Sequence, residues 1–427
     1  MRNFAHENKN ERNMKKRLFL IMWAMGILTS AHALTLEECL QMAHDNYPAI
    51  KQYDLITAAR DYDISNAGKG WLPKISLQAS GYAFTDIISS GSLISKMGVD
   101  LDNYMVSGNI TVKQTVYDGG QIAAGKQVGT AKAEVDARQA DVTLYNIRER
   151  TQELFFGILL LDEQLKQNDI LQQDLEVSIK TVEEMMRGGI ANQSDLDALR
   201  VEQLNVHQQH DVYEASRTAY IKMLGTFIGK ELGSNTTLEK PSMTTAGSGD
   251  ASLRPEMSLF SSQDNLLEAQ RKQINSALLP TVGFMGMGML HTKVSDMVNT
   301  GMLLGGLTVS WNIGALYTRK NDLHKLEVKR QQTDVQRQTF LFQNRLQQQE
   351  TDGTIAALRK QLASDDEIVE LRESIRSKAD RKVAAGTESV NELVRDINAV
   401  SRARGQRAIH EVQLLKAVYE LKNLNGK

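Results

Sequence analysis

Arg187-Gly-Gly-Ile-Ala-Asn-Gln-Ser-Asp-Leu196 decides the fold. Upstream of it, from about 121 to 187, the chain keeps a helical period without a single proline. Downstream, from about 195 to 228, the period resumes and ends at Gly229. Two glycines, and after Ile190 and Ala191 a polar run ending in an acid before an apolar position, form a helix stop and then a helix start. The stretch is therefore the turn of a helical hairpin. At 1.5 Å per residue its first arm spans roughly 100 Å, more than a globular domain hides singly. The turn recurs as Ala385-Gly-Thr-Glu-Ser-Val-Asn-Glu-Leu393. It again follows a long helical stretch, over about 316–385, and precedes a last helix reaching about Leu424. An internal repeat of roughly 200 residues is a duplicated structural unit.

Outward from these turns the two halves keep matching. A helix is expected from Leu36 to about Gly68, with Thr35 as N-cap, Glu37 and Glu38 in its first turn, and Pro48 as a bend or break. Trp71-Leu-Pro73 stops it. Residues 75–85 and 106–116 alternate apolar and polar side chains, the period of half-buried strands. Val116-Tyr-Asp-Gly-Gly120 then switches the chain to helix. In the second half a helix over 256–278 ends at Leu279-Pro280, strands follow at 282–290 and 303–313, and Trp311-Asn-Ile-Gly314 echoes the switch. The predicted division is an amino-terminal extension and signal over 1–33, a first repeat over 34–232, a Gly/Ser/Thr-rich linker over 233–253 and a second repeat over 254–427. The lengths suggest that two short helices stack end to end beside each long one. The predicted class is mainly α, with a duplicated helix–strand–strand–helix unit.

Composition excludes several functions. Lys+Arg number 50 against Asp+Glu 52, a formal net charge of -2, so no basic surplus exists for nucleic acid. One cysteine excludes a disulfide scaffold and a multi-thiolate metal site. A hydrophobic content of 41% is too low for a polytopic helical membrane protein. Lys15, Lys16 and Arg17, the apolar run 18–28 and Ala31-His-Ala33 form an export signal. The apolar run is shorter than a bilayer-spanning helix. Met14 is a candidate true start. Cys39 sits in a helical pattern and is expected as a plain buried thiol rather than a lipid anchor.

Four strands of this length suit a membrane barrel but are too few to close one, since single-chain barrels need at least eight. Open edges do not sit in lipid, so several chains must pool strands, and three would give twelve. In the fourth strand Leu303, Gly305, Leu307, Val309 and Trp311 face outward, while Thr308, Ser310 and Asn312 face inward. The third strand is apolar on both faces and is the weakest of the four. Tyr82, Phe84, Tyr117 and Trp311 are candidate interfacial rings. Gly119-Gly120 and Gly305-Gly306 are expected as backbone devices at barrel ends. The long helices carry narrow apolar seams, such as Leu159, Leu165, Ile170, Leu175, Ile179 and Val182. They suit a wall around a water-filled tube, or alternatively a soluble coiled coil.

These pieces together resemble the TolC-type outer membrane efflux (outer membrane factor) family. The resemblance covers essentially all of 34–424 and rests on the order of motifs, duplicated. They are Leu34-Thr-Leu-Glu-Glu-Cys-Leu-Gln-Met-Ala43 with Asn46-Tyr-Pro48, Trp71-Leu-Pro-Lys-Ile-Ser-Leu77, Val116-Tyr-Asp-Gly-Gly120, the 188–197 turn, Arg254-Pro-Glu256, Ala277-Leu-Leu-Pro280 and the 386–393 turn. It implies a homotrimer with a twelve-stranded barrel in the outer membrane of a Gram-negative bacterium and a long α-helical barrel in the periplasm. It also implies a periplasmic adaptor (membrane fusion) protein and an inner-membrane pump as partners. The channel would give passive passage to small molecules in multidrug-type efflux. Glu392 occupies the family's first acidic gate position. The second is Arg395, with Asp396 beside it, which departs from a double acidic ring and suggests a Glu392–Arg395 or interprotomer contact instead. Asp195 and Asp197 are placed similarly in the first half. Gly188, Gly189 and Gly386 are implied as turn formers and, with Asp195, as adaptor contacts.

No enzyme is expected. His207, His210, His291, His324 and His410 lack ligand spacing, although His207 and His210 share a helix face, and no phosphate loop appears. No metal and no cofactor is therefore expected. Two alternatives remain open: the outer membrane duct of a type I protein secretion system, and a periplasmic coiled-coil scaffold without a pore.

Overall fold

The computed structural model describes residues 33–83, 104–243, 251–293 and 299–426. The expected export signal, Met14 and Phe84 lie outside the described residues. In chain order the elements are α1 (Leu36–Asn46), a 3-10 turn (Pro48–Lys51), α2 (Gln52–Gly68), β1 (Lys74–Ala83), β2 (Tyr104–Tyr117), α3 (Gln121–Arg187) and α4 (Gln193–Ile228). Then follow α5 (Pro255–Ser276), β3 (Thr281–Lys293), β4 (Asn299–Ser310), α6 (Ala315–Ala384) and α7 (Val390–Leu424). Helix, strand, strand and helix thus occur twice in order. The two long helices have 67 and 70 residues.

Two expectations need correction, and a third resolves between its alternatives: of a bend or a break at Pro48, the structure shows a break, with the first helix divided in two at Tyr47-Pro48. Pro48 offers no N–H and forces Tyr47 out of the helical region, to φ -67 and ψ 131. The fourth strand ends at Ser310 rather than 313, and the Trp311 indole N–H donates to the Leu278 carbonyl at 2.9 Å. Gly305 and Gly306 are not at a barrel end. They pair in register with Gly286 and Met285 inside the β3–β4 ladder.

The described chain forms two compact units, and each takes residues from both sequence halves. One comprises the described parts of Met1–Ile50, Thr143–Leu253 and Asn344–Lys427. Its core is built by α3, α4, α6 and α7. Phe155, Leu154 and Ile158 of α3 and Ile221 and Leu224 of α4 are fully buried. Phe156 stands edge-on to Phe155 and tilts against Tyr419, with centroids 5.9 and 5.7 Å apart. Each such side chain stabilises by about 1.5–3 kcal/mol on burial. At Gly157 an added Cβ would fall 2.5 Å from the Tyr220 ring, so the missing side chain admits the tyrosine.

Side chains also satisfy the carboxyl end of α7, whose last carbonyls have no helical partner. Tyr145 donates to the Asn423 carbonyl at 2.7 Å, and Asn344 to the Leu424 carbonyl at 3.0 Å. Gln152 and Asn423 exchange two amide hydrogen bonds in the buried layer beneath. In the same unit, α1 meets the end of α4. Thr35 is the N-cap, as expected, and with Glu38 it completes a capping box. Asn46 donates to the Thr226 and Phe227 carbonyls at 3.2 and 3.1 Å. Cys39 is buried among these residues, and burial pushes its thiol up to about 12.

The second unit comprises the described parts of Lys51–Val142 and Arg254–Gln343. It holds one antiparallel sheet in the order β1-β2-β3-β4. The central pairing joins β2 of the first half to β3 of the second, so neither half owns a sheet of its own. A bulge between Thr115 and Tyr117 interrupts that pairing near its base.

Candidate functional site

Two places carry the geometry relevant to function, and the first is the sheet. Cross-strand register aligns Leu77, Ile110, Gly288 and Leu303 on one face, and Gln78, Asn109, Met289 and Met302 on the other. The first face continues through Ile75, Val112, Phe284, Leu307 and Val309. It is apolar and uncovered: Leu303 is 90% and Leu77 82% exposed. Water is a poor neighbour for such a face. The difficulty of reading β3 is explained here. Its apolar-face positions include Gly286 and Gly288, and a Cβ at Gly288 would fall 2.9 Å from Ile110 Cγ2 and 3.4 Å from Leu303 Cδ2. At Gly288 the neighbouring strands therefore cover the ground that a larger residue would occupy, whereas a Cβ at Gly286 would meet nothing within 4 Å. Tyr82 lies toward one end of the sheet, paired with Met105, and Tyr117 toward the other, paired with Val282. Among the described residues no further strand pairs with either edge, β1 or β4. No helix among them is long and apolar enough to cross a membrane.

Asp118 explains the Val-Tyr-Asp-Gly-Gly motif at the base of the sheet. Its buried carboxylate accepts from the Gly120 and Ile122 N–H groups at 2.9 and 2.6 Å, capping α3. Gly119 and Gly120 take φ +68 and +83, open to glycine at little cost. A Cβ on Gly119 would also lie 2.7 Å from the Cβ of Leu279.

The second place is the pair of helical turns. Gly189 has φ +73 and Gly386 φ +71. In the first turn Gly189 donates to the Met186 carbonyl (3.0 Å) and Ile190 to the Met185 carbonyl (2.9 Å). In the second, Gly386 donates to Val383 and Thr387 to Lys382, both at 2.9 Å. This is the same Schellman stop built twice. The structure brings the turns together, since a Cβ on Gly386 would lie 3.3 Å from Ile190 Cγ2. Beneath them Leu175, Val182, Leu199, Val383 and Ile397 form one buried cluster from all four helices.

The expected site residues are placed unequally. Asp195 caps α4 in a box with Asn192, accepting from its N–H at 3.0 Å and donating its own N–H to Oδ1 at 3.2 Å. Gln193 donates to Asp197 at 2.8 Å. Gly188 is exposed at the end of the first turn. Glu392 is exposed in the first turn of α7, its N–H held by Ser389 Oγ at 3.3 Å. Arg395 is exposed as well, and no ion pair joins it to Glu392 among the described residues. Asp396 is half-buried and acts instead on Asp380. Asp380 belongs to a network that sequence reasoning missed. Arg376 donates to Asp174, linking α6 to α3, while Arg404 of α7 donates to Glu373 at 2.6 and 2.9 Å and stands 3.8 Å from Asp174. Burial raises the Asp380 carboxyl above its usual range; Arg376 opposes this, and Asp174 and Asp396 add to it. Charged residues at ordinary density on three helices gave no sequence signal that these would meet.

His210, Asp211 and Glu214 hold ligand atoms within 4.8 Å of one another on the surface of α4. Adjacent exposed groups on one helix commonly do so without a metal.

The arrangement of one four-stranded sheet and paired long helical hairpins is the fold of TolC-type outer membrane efflux channels. Solved structures similar to this chain include outer membrane channels, which are not enzymes. The outer-membrane channel OprN matches with a TM-score of 0.68 at 14% identity, over 92% of this chain and 90% of that one. CusC, described for its conformational changes in folding and transmembrane channel formation, matches at 0.67 and 13%, over 92% of each chain. The Campylobacter jejuni CmeC outer membrane channel matches at 0.65 and 12%, over 92% and 85%. No family model and no curated protein matches the sequence.

Proposed function

We propose that three copies of this chain join their sheets into one twelve-stranded barrel in the outer membrane. Their long helices then line a water-filled periplasmic tunnel. The channel is the passive outer component of a tripartite efflux system, reached through a periplasmic adaptor and energised by an inner-membrane pump. Small molecules are the cargo. The observation that carries this reading is the uncovered apolar face of a sheet with two free edges. Lipid suits that face, and pairing with further copies suits the edges. The likeness to outer membrane channels supports the same reading. The residues 15–33 supply the export signal that the location requires.

The turns at Gly188, Gly189 and Gly386, with Asp195, are the proposed adaptor contacts. Glu392 is the proposed acidic group at the pore mouth. Arg395, with Asp396 beside it, is the proposed partner of Glu392 across protomers, a reading favoured by the exposed side chains of Glu392 and Arg395. The assembly is tested by native mass of the detergent-extracted protein. Three copies per particle are expected; a monomer recovered in the soluble periplasmic fraction would overturn the proposal. For the gate, Glu392→Gln is expected to change cation conductance or cation block, and an unchanged value removes Glu392 from that role.

A further inference from the structure

The polar face of the sheet carries an anomaly that passage through a channel does not require. On β1 that face shows Ser76, Gln78 and Ser80, and on β2 Ser107, Asn109 and Thr111. On β3 it shows Met285, Met287 and Met289 instead, spaced by two and therefore projecting to one side. Met302 of β4 stands opposite Met289, and Asn109 of β2 stands opposite Met289 on its other flank. Met285, Met287 and Met289 are half-buried. Directly opposed side chains have Cβ atoms about 4.5–5.5 Å apart, and diagonal neighbours about 7–8 Å, within reach of long thioether side chains. Beside them the Asn109 Oδ1 is buried and accepts no hydrogen bond. A buried acceptor without a donor is costly unless something occupies its lone pairs.

Methionine is an ordinary filler of cores, but this face is open at Met302, which is 54% exposed. Several thioethers projecting to one side beside one amide oxygen form a soft, neutral donor set. Such a set selects d10 monovalent cations such as Cu(I) and Ag(I) over Zn(II), Mg(II) or Ca(II). We propose that Met287, Met289 and Met302, with Met285 and Asn109 at the margin, form a binding site for a soft monovalent cation on the polar face of the sheet. No redox step is involved. The site depends only on the β2–β3–β4 register, so it stands or falls separately from the channel reading.

The test uses the detergent-extracted full chain with its methionine methyls carbon-13 labelled, titrated with silver nitrate in chloride-free buffer. The expected result is saturable movement of the Met287, Met289 and Met302 methyl signals at about one Ag(I) per chain, with no comparable movement on Zn(II). The variant carrying Met287→Leu, Met289→Leu and Met302→Leu conserves side-chain volume. It is expected to bind Ag(I) at least about tenfold more weakly at the same assembled mass. Movement confined to other methionines, equal shifts with Zn(II), equal Ag(I) affinity in the leucine variant, or no Ag(I) binding by the unchanged protein would each overturn the site. Conductance is not read, so a failure here leaves the channel proposal intact, and the reverse.

Discussion

Replacing Gly189 or Gly386 by alanine perturbs one turn each, in two settings that differ by a single contact. Both glycines sit in the left-handed region, at φ +73 and +71. An L-residue pays about 1–2 kcal/mol there, while the lower freedom of the unfolded chain returns about 0.4–1 kcal/mol. A net loss of about 1 kcal/mol is expected for Gly189→Ala, whose new methyl meets nothing within 4 Å. Gly386→Ala carries the same loss plus a tight contact, because its Cβ falls 3.3 Å from Ile190 Cγ2. The assay is amide hydrogen exchange at Ile190 and Thr387, whose N–H groups close the two Schellman stops at 2.9 Å each. A loss of about 1 kcal/mol speeds local opening about fivefold. The effect at Thr387 should exceed that at Ile190, and Ile190→Ala added to Gly386→Ala should remove the excess. Unchanged exchange in both single variants, or the larger effect in Gly189→Ala, would refute the paired-turn geometry.

Three further outcomes follow from the same structure. Asp118→Ala should cost about 1–2 kcal/mol of thermal stability, since two N–H groups at the start of α3 lose their acceptor; a change within error would show the cap to be idle. Leu303→Arg should weaken membrane assembly by about 2–4 kcal/mol if that face meets the bilayer midplane. Leu304→Arg on the opposite face should cost clearly less, and equal costs would place lipid on neither face. The third concerns pH. Asp380 binds its proton more readily folded than unfolded, so its contribution is fully present in acid and is lost as pH rises through its raised value. Asp380→Asn should therefore raise the melting temperature near neutral pH and flatten its dependence across the acidic range. A lower melting temperature at neutral pH would mean that the ion pair with Arg376 outweighs the burial.

Much of this fold was legible because long helices and short strands have different periods. The stop at Arg187, the N-cap at Thr35 and the start of the long helix after Gly120 each have a local chemical cause, and each is legible to within a residue or two. Trp311 shows where local reading stops. Its alternation continues the strand, but its indole is claimed by a carbonyl on a different element. β3 is hard to read for a similar reason, since Gly288 on its apolar face is crowded by Ile110 and Leu303, residues distant in sequence. At the tips the glycines announced themselves through their conformational need. The network of Asp174, Arg376, Arg404 and Asp380 did not, because pairing among charges on separate helices depends on packing and leaves no periodic trace. Asp195 lies between these cases: its acid was visible, but its carboxylate is engaged in capping α4.

The central claim is that this chain assembles into a water-filled pore, and single-channel conductance of the purified protein in a planar bilayer tests it most directly. Opened trimers should give discrete conductance steps that disappear when assembly is blocked by Leu303→Arg. A properly assembled and opened trimer that inserts and passes no ions would contradict the account.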